Sequence, residues 1–573
     1  MGKFGNKRKR RNCCLMNWFN WIASLSLVVL FCGSVEAFTI VNERNLGIRW
    51  DNTFRYNFGV RMRSPQGCML NSPNYDDGDR NFGKANDIVT NRLDILSELD
   101  FVFKKNFGVR VSGAFWYDQR YDDSLHNDSI ATSNHLENGV PAFGLSDQAK
   151  RWYKGPDGEV LDAFAFANFD LGNIPITMKI GRHTVYWGES FLLQGGIQGI
   201  SYSQMPIDAA KGLAVPGSEL KELYRPLANV SMQAQLTNTI SLAGQYFFQW
   251  ESYRFPEAGT FLGSMDMVLN GGEILYLAPG YFVTKGDSAE PDGTKNWGVA
   301  LRWNSRMLGG ALGLYYRRFA DMIPQVGIAG SMMDIPGVGN TFIPNQYFFG
   351  YGGDIDLYGL SLSTKFQGVS IGAELSYRRD MPLCSDPFIV IDGLMPKPGK
   401  GETYGARGNT FHGLINFMGM INNMPMFDQA VYIVEFAWSH WSHVTSGSQY
   451  FQGNDIFAGI NKVTEHAVNA AVMFTPTWFQ VFSGIDISMP MSYGRGLDGN
   501  SAVGSGFGIN ENAGNWSVGV AFDVNQKYNF AVSYVGYFGD VAIDSAGGIS
   551  SNNGGTALLK DRDMLTFTFK TTF

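Results

Sequence analysis

The sequence predicts a single transmembrane antiparallel β-barrel of about 18 strands (range roughly 16–20), with short turns at one end and long loops at the other. Three observations carry that prediction. The first is composition. Charged residues are 17% of the chain and glycine is 69 of 573 residues, against about 25% and about 7% in soluble globular chains. Aromatics reach 14%, yet mean hydropathy is only −0.11, too polar for a bundle of membrane helices. The second is alternation of apolar and polar residues along segment after segment. The third is a strict rhythm of short and long connections.

The elements follow in order. Residues 1–37 read as a secretory signal: Lys3, Lys7, Arg8, Lys9, Arg10 and Arg11 form a basic start, Trp21 to Phe31 an apolar core, and Val35-Glu36-Ala37 a cleavage site. The apolar run is too short for a spanning helix, which needs about 20 residues, and bulky Phe31 argues against a lipoprotein signal ending at Cys32. Without this segment the chain keeps 39 basic and 51 acidic residues, net −12, which argues against nucleic-acid binding. Cys68 and Cys384 remain, both in loops expected to be exposed; a disulfide between them and two free thiols are both compatible with the sequence.

Successive side chains of a strand point to opposite faces. Phe54, Tyr56, Phe58, Val60 and Met62 alternate with Arg55, Asn57, Gly59, Arg61 and Arg63, and the same two-faced pattern recurs along the chain. It marks strands near 53–63, 92–103, 107–120, 161–171, 175–187, 227–237, 239–251, 295–304, 308–319, 354–366, 369–379, 408–420, 428–439, 464–475, 479–489, 515–524, 528–538 and 562–573. Their lengths suit the roughly 9–11 residues of a tilted membrane strand. Turns such as Gly172-Asn173, Gln367-Gly368 and Asn525-Gln526-Lys527 alternate with long loops, the pattern of an outer-membrane barrel with both termini in the periplasm. A soluble β-sandwich would need neither that rhythm nor so many aromatics on the apolar face. The chain ends on Phe573 after Leu565, Phe567 and Phe569 on one face, which resembles the C-terminal signal read by the barrel assembly machinery of bacterial outer membranes.

Residues 181–226 break the strand pattern. Gly181-Arg182-His183 and Trp187-Gly188-Glu189-Ser190 lead into an apolar, Gly-rich run from Phe191 to Met205, then Pro206-Ile207-Asp208 and Lys221-Glu222. Together with the Trp50–Arg61 opening, Asp76-Asp77-Gly78-Asp79-Arg80-Asn81-Phe82, Asn91–Asp100, Gly108–Asp118, Gly259-Thr260 and Asp266, these motifs resemble the proteobacterial outer-membrane family catalogued as domain of unknown function 1302. The C-terminal half matches mainly in pattern, and His183 stands where the family pattern leads one to expect Gln. The resemblance implies an outer-membrane barrel associated with lipid-handling periplasmic proteins and an inner-membrane export pump; it assigns no substrate.

Residues 38–573 are therefore expected to form one barrel in the outer membrane of a Gram-negative bacterium, in contact with its lipid and lipopolysaccharide, with 188–226 folded into the lumen. Arg55, Arg61, Arg63, Asp94, Glu98, Asp100, Arg110, Asp118 and Arg182 are expected to line the lumen, with Arg302, Glu374, Arg378, Glu435 and Asp523 further on. An Arg facing lipid would cost about 2–4 kcal/mol at mid-depth. Such charges either stiffen the wall as cross-strand pairs or form a constriction that selects permeants. Trp187, Glu189, Phe191, Leu192, Asp208 and Glu222 are the expected plug or constriction, with the three carboxylates anchored to basic wall residues; an external cap packed on other loops is the alternative.

Other constellations say less. Asp76, Asp77 and Asp79 offer clustered oxygens for calcium, without the spacing of a known calcium loop. His440 and His443 lack a third ligand for a metal and suit an interfacial aromatic belt. The one Gly-x-Ser-x-Gly string, Gly368-Val369-Ser370-Ile371-Gly372, opens an alternating strand rather than a strand-to-helix elbow, and there is no Ser/His/acid grouping, so neither catalysis nor a cofactor is expected. The expected function is a channel for hydrophobic or amphipathic, lipid-like molecules. The alternatives are a general diffusion porin for small polar solutes and, third, a barrel enzyme acting on lipids.

Overall fold

A computed structural model of the protein describes residues 38–43, 45–122, 125, 127–191 and 196–573. The expected signal segment, residues 1–37, lies outside the described residues, as does Leu192. Alternation produces eighteen wall strands. In chain order they are β1 (Leu46–Arg61), β2 (Ile88–Phe103), β3 (Phe107–Asp118), β4 (Asp157–Leu171), β5 (Ile174–His183), β6 (Leu227–Gln235), β7 (Ile240–Phe247), β8 (Trp297–Ser305) and β9 (Gly310–Phe319). The second half comprises β10 (Ile355–Phe366), β11 (Val369–Pro382), β12 (Arg407–Met424), β13 (Phe427–Ser446), β14 (His466–Phe482), β15 (Ile485–Ser488 and Met491–Asp498), β16 (Gly514–Val524), β17 (Tyr528–Phe538) and β18 (Met564–Thr572). Each pairs antiparallel with its sequence neighbours, and β1 closes the ring by pairing with both β2 (Phe54 opposite Ile95) and β18 (Phe54 opposite Thr571). A further strand, Phe38–Glu43, pairs with the start of β1 below the end of β18.

Every sequence-predicted strand has its counterpart, several with shifted ends, and the largest correction lies between β14 and β15. The sequence reading leaves 476–478 as a turn, but Pro476 lies inside β14 opposite Ala430. The turn falls instead at Gly484, whose φ of +75° suits glycine, and β15 is interrupted at Met489-Pro490, where proline cannot donate to the ladder.

The two faces of the wall differ as lipid and lumen require. In β1, Thr53, Arg55, Asn57, Gly59 and Arg61 are buried, while Phe54, Tyr56, Phe58 and Val60 point the other way. The outward face carries large apolar groups such as Phe115 (54% exposed) and Leu375 (58% exposed). Near the long-loop end, outward rings form a continuous row across β8 to β14: Trp297, Tyr316, Tyr358, Tyr377, Phe411, His440 and His466, with successive centroids 4.5–6.4 Å apart. Aromatic girdles of this kind border the apolar band of a membrane barrel.

The long loops pack together above the rim. Three of them contribute a five-stranded sheet: Ile274–Ala278, Tyr281–Lys285, Gln325–Ile335, Gly339–Gly350 and Phe388–Ile391. Beneath it an apolar core joins the loops to the upper wall through Tyr202, Phe255, Phe319, Leu357, Met381 and Phe451. This packing corrects the expectation for Cys384, which is buried in that core rather than exposed. Cys68 and Cys384 are both free thiols.

Candidate functional site: a segment fastened across the lumen

After His183 the chain leaves the wall and does not return until Leu227. Between those points it touches inward-facing side chains on opposite arcs of the ring, so it runs through the interior. On one arc, the buried Glu374 carboxylate of β11 accepts hydrogen bonds from three backbone amides: Glu189, Ser190 at 2.9 Å and Ile200 at 2.6 Å. Glu435 of β13 accepts from the Phe191 amide at 2.7 Å, and Asn416 of β12 donates to the Glu189 carbonyl at 2.6 Å. Arg378 of β11 donates to the carbonyls of Ile197 (2.8 Å) and Gly199 (3.0 Å), and Arg317 of β9 to that of Ser203 (3.1 Å). The wall thus grips the segment's backbone, supplying partners that an irregular chain at membrane depth needs.

The far end of the segment is held by charge. Arg55 of β1 makes a two-pronged pair with Glu222, at 2.9 and 2.8 Å, both side chains almost fully buried, and also donates to the Gly217 carbonyl at 3.1 Å. Burial alone would raise the Glu222 carboxyl, but the hydrogen bond and charge of Arg55 outweigh it and hold the group below its ordinary value. Lys221 reaches Glu98 of β2 at 2.5 Å, and Lys570 of β18 pairs with Glu219. Between the two ends, Asp208 caps a short helix, Ala209–Ala214, by accepting from the Lys211 amide at 2.8 Å. Its other oxygen meets Arg254 at 2.5 Å, and Arg254 and Lys211 share Glu159 of β4, at 3.1 and 3.4 Å.

The three carboxylates expected to anchor the segment therefore behave differently. Glu222 does reach a basic wall residue. Asp208 pairs with Arg254, a residue of the following loop. Glu189 pairs with no basic side chain among the described residues; its carboxylate meets the Ser361 hydroxyl at 3.2 Å, and its backbone is what the wall holds. Trp187 packs on Tyr315 of β9, with centroids 6.0 Å apart.

Among the residues expected on the lumen wall, Arg55, Asp94, Glu98, Asp100 and Arg110 lie on the inward face as a ladder. Arg110 bridges Glu98, Asp100 (3.3 Å) and Asp162 (3.4 Å), and Asp94 pairs with Arg92 at 3.0 Å. Arg61 and Asp118 are buried higher up. Arg61 binds Asp79 at 2.6 Å, and Asp118 accepts from Thr90 (2.6 Å) and the Asn91 amide (2.9 Å). Two residues are corrected. Arg63 lies beyond the end of β1, its side chain 54% exposed and 3.7 Å from Asp563. Arg182 shares the outward face with Met178 and Ile180, since its partners Ala163 and Ala228 carry the opposite parity to inward Asn229. It is tolerated there because it lies next to the last residue of the strand, towards the long-loop rim, and reaches Glu251 at 3.6 Å. The expected calcium ligands also separate: Asp79 serves Arg61 and Arg562, Asp76 serves Arg80, and Asp77 accepts from Asn127 (3.0 Å) and the Asn134 amide (2.8 Å).

Two cavities flank the segment. One of about 550 Å³ lies on the short-turn side, between Tyr186, Glu189 and Phe191 and inward residues of β10 to β12 such as Ser363, Ser370 and Asn416. The other, about 400 Å³, lies between Ile197, Asp208, Leu213 and Leu223 and the walls of β14 to β16, and reaches the outer loops at Phe255 and Phe507. Sequence reasoning named Glu374, Arg378 and Glu435 as inward residues without their role. Backbone amides and carbonyls as partners leave no signature in sequence.

A closed antiparallel barrel of eighteen strands with an apolar exterior, an aromatic girdle and a charged interior defines a protein of the outer-membrane barrel class. More particularly, the chain belongs to the family described as protein of unknown function DUF1302, whose match runs over residues 18–573. No curated protein matches it. Among solved structures, it is similar to Pseudomonas aeruginosa OpdK with vanillate (10% identity, 92% of this chain and 98% of that one, TM-score 0.38). Acinetobacter baumannii OccAB4 gives 7% identity, 92% and 98% coverage and a TM-score of 0.41. A BenF-like porin from Pseudomonas fluorescens gives 9%, 92%, 98% and 0.39.

Proposed function

We propose that the protein is an outer-membrane channel held shut by the 184–226 segment and that it passes hydrophobic or amphipathic molecules. The observation that carries this reading is the segment itself, fastened across the lumen with a cavity on either side. The upper cavity mixes Leu213, Leu223, Phe255 and Phe507 with Asn469, Asn510 and Asn515, a lining that suits a molecule with an apolar body and a polar end. Between its two ends on the wall the segment is held across the lumen only by hydrogen bonds, ion pairs and packing, so it can be released. A diffusion porin for small polar solutes would keep a continuous water-filled path past such a crossing.

Single-channel conductance in a planar bilayer tests the reading, with the full barrel compared against deletion of residues 191–205. A closed wild type that the deletion opens supports it. Steady large conductance in both would favour the general porin, and no conductance in either would refute a channel. If the conduit reading holds, liposomes carrying the wild type should take up an uncharged amphipathic dye faster than a small sugar once the segment is displaced.

A further inference from the structure

We propose that His440, Glu465 and His466 form a binding site for a divalent transition-metal ion, with zinc as its probe, on the outward rim of the barrel. The sequence pairs His440 with His443, but the fold does not. His443 turns to Asn409 (3.2 Å) and Ser442 (3.3 Å). His440 on β13 stands directly opposite His466, the first residue of β14. Side chains so opposed across antiparallel strands are near neighbours, and the two imidazoles stack with centroids 4.5 Å apart and planes 19° from parallel. Glu465 supplies the third ligand: one ligand atom from each of the three side chains lies within 4.8 Å of the others.

Zinc binds imidazole nitrogen and carboxylate oxygen at about 2.0–2.2 Å, which sets tetrahedral ligands roughly 3.4 Å apart. Rotation of two exposed side chains, Glu465 (70% exposed) and His466 (51% exposed), closes that difference without moving the backbone. The backbone is already fixed. The Glu465 carbonyl accepts from the Trp441 amide at 3.4 Å, and the residue before it is pinned by Trp441 Nε1 to the Thr464 carbonyl (3.0 Å) and by Thr464 Oγ1 to the His466 carbonyl (2.5 Å). The same Glu465 carbonyl faces His440 Nδ1 at 3.1 Å. A carbonyl only accepts, so Nδ1 carries the proton and Nε2 keeps its lone pair. That is the outer-sphere bond that orients metal-binding histidines. Trp438 lies against both rings, 6.0 Å from each, as an apolar floor.

Two imidazoles and one carboxylate suit zinc, copper(II) or nickel(II) and do not suit calcium or magnesium, which take oxygen ligands. Three protein ligands leave a fourth position open for water or an anionic oxygen. Because the site joins β13 to β14 at the end of the aromatic row, a bound ion would tie that seam where the wall meets the outer loops.

The test is calorimetric titration of the tag-free, full-length barrel in detergent with zinc chloride, repeated with calcium chloride. One saturable zinc site per barrel and no calcium binding there are expected. His440→Ala, His466→Ala and Glu465→Gln should each weaken zinc at least about tenfold, as losing even an outer-sphere partner does, whereas His443→Ala should bind as the wild type does. Cobalt(II) gives a second readout, a visible absorption band present in the wild type and absent in His466→Ala. Should an alanine variant fail to show the heat-modifiable migration of a folded barrel, Glu465→Gln, at an exposed loop end, decides. Equal zinc affinity in wild type and Glu465→Gln, or no saturable binding below about 100 μM zinc, would overturn the proposal.

Discussion

Replacing Glu374 by Gln perturbs the point where the wall holds the inner segment most densely. One carboxylate oxygen accepts from the amides of Glu189 and Ser190, the other from that of Ile200. A glutamine can orient its single oxygen toward the first two, which leaves its NH2 facing the Ile200 N–H, donor against donor. Hydrogen bonds to a charged group contribute about 1.5–3 kcal/mol and neutral ones about 0.5–1.5. Losing one outright and weakening two amounts to roughly 3–5 kcal/mol. If the segment opens as a unit, even the low end shifts the balance between closed and open by about a hundredfold or more. The remaining anchors, Glu435 on Phe191 and Asn416 on Glu189, keep the shift from being complete. The assay is single-channel open probability in a planar bilayer, with thermal unfolding measured on the same preparation. The expected outcome is frequent opening at an almost unchanged unfolding temperature, because the wall pairs of β11 with β10 and β12 are untouched. An unchanged open probability in a properly folded Glu374→Gln barrel would refute the reasoning, as would a fall in unfolding temperature with no gain in conductance.

Other expectations follow from the same geometry. Arg55→Met strands a buried Glu222 carboxylate and should cost about 3–5 kcal/mol in denaturant unfolding; the double variant Arg55→Met with Glu222→Met should recover most of it, and additive losses would argue against a functional pair. Leu375→Arg places a charge on the outward face a few residues above the Gln367-Gly368 turn and should lose about 2–4 kcal/mol, read as reduced heat-modifiable folding; an unaffected barrel would reverse the assigned faces. Burial pushes the Glu257 carboxyl in the outer loops up to about 7, against the lowering effect of the Gly271 amide. A raised carboxyl favours the packed state most below its ordinary pKa and loses that advantage as pH rises through about 7. Burial raises Asp266 in the same stretch to about 7 as well, so hydrogen exchange in the 257–273 stretch, corrected for intrinsic rates, should be at least about tenfold more protected at pH 5 than at pH 8, and Glu257→Gln should reduce that difference without abolishing it.

The wall was legible in the sequence because the information is local. A strand that separates lipid from a polar interior must alternate residue by residue, and Phe54 to Arg61 does so without reference to any distant residue. The failures share a cause. Pro476 reads as a turn on local rules, yet a neighbouring strand accommodates it. Arg182 reads as inward because arginine is costly in lipid, yet its own parity with Met178 and Ile180 places it outward at a depth where Glu251 relieves the cost. Cys384 reads as exposed because it is in a loop, yet the loops form a core of their own. The apolar run after Phe191 announced an inserted segment, but its anchors could not be ranked. The residues that hold it most tightly bind peptide groups, which every residue possesses, and the ring stacked on His440 sits in the next strand rather than three residues on.

The distribution of charge inside the barrel bears on what the interior is for. Arg55, Arg92, Arg110, Lys221, Arg254 and Lys570 each lie within ion-pair distance of a carboxylate. Arg317 and Arg378 have no such partner among the described residues; Arg317 donates to the carbonyls of Ser203 and Arg318, and Arg378 directs only its Nη2 to carbonyls of the segment. Cations committed in this way offer little attraction to a passing anion, since a solute would have to break a buried pair whose loss costs several kcal/mol. A lumen built to concentrate ions would present one sign of charge to water. Here the paired charges of both signs tie the wall to itself and to the segment, and the cavity beside Leu213, Phe255 and Phe507 is uncharged apart from Asp208, which Arg254 neutralises. Under the function proposed above, such an interior would suit an uncharged amphipathic molecule better than an ion, and release of the segment would be the step on which passage depends.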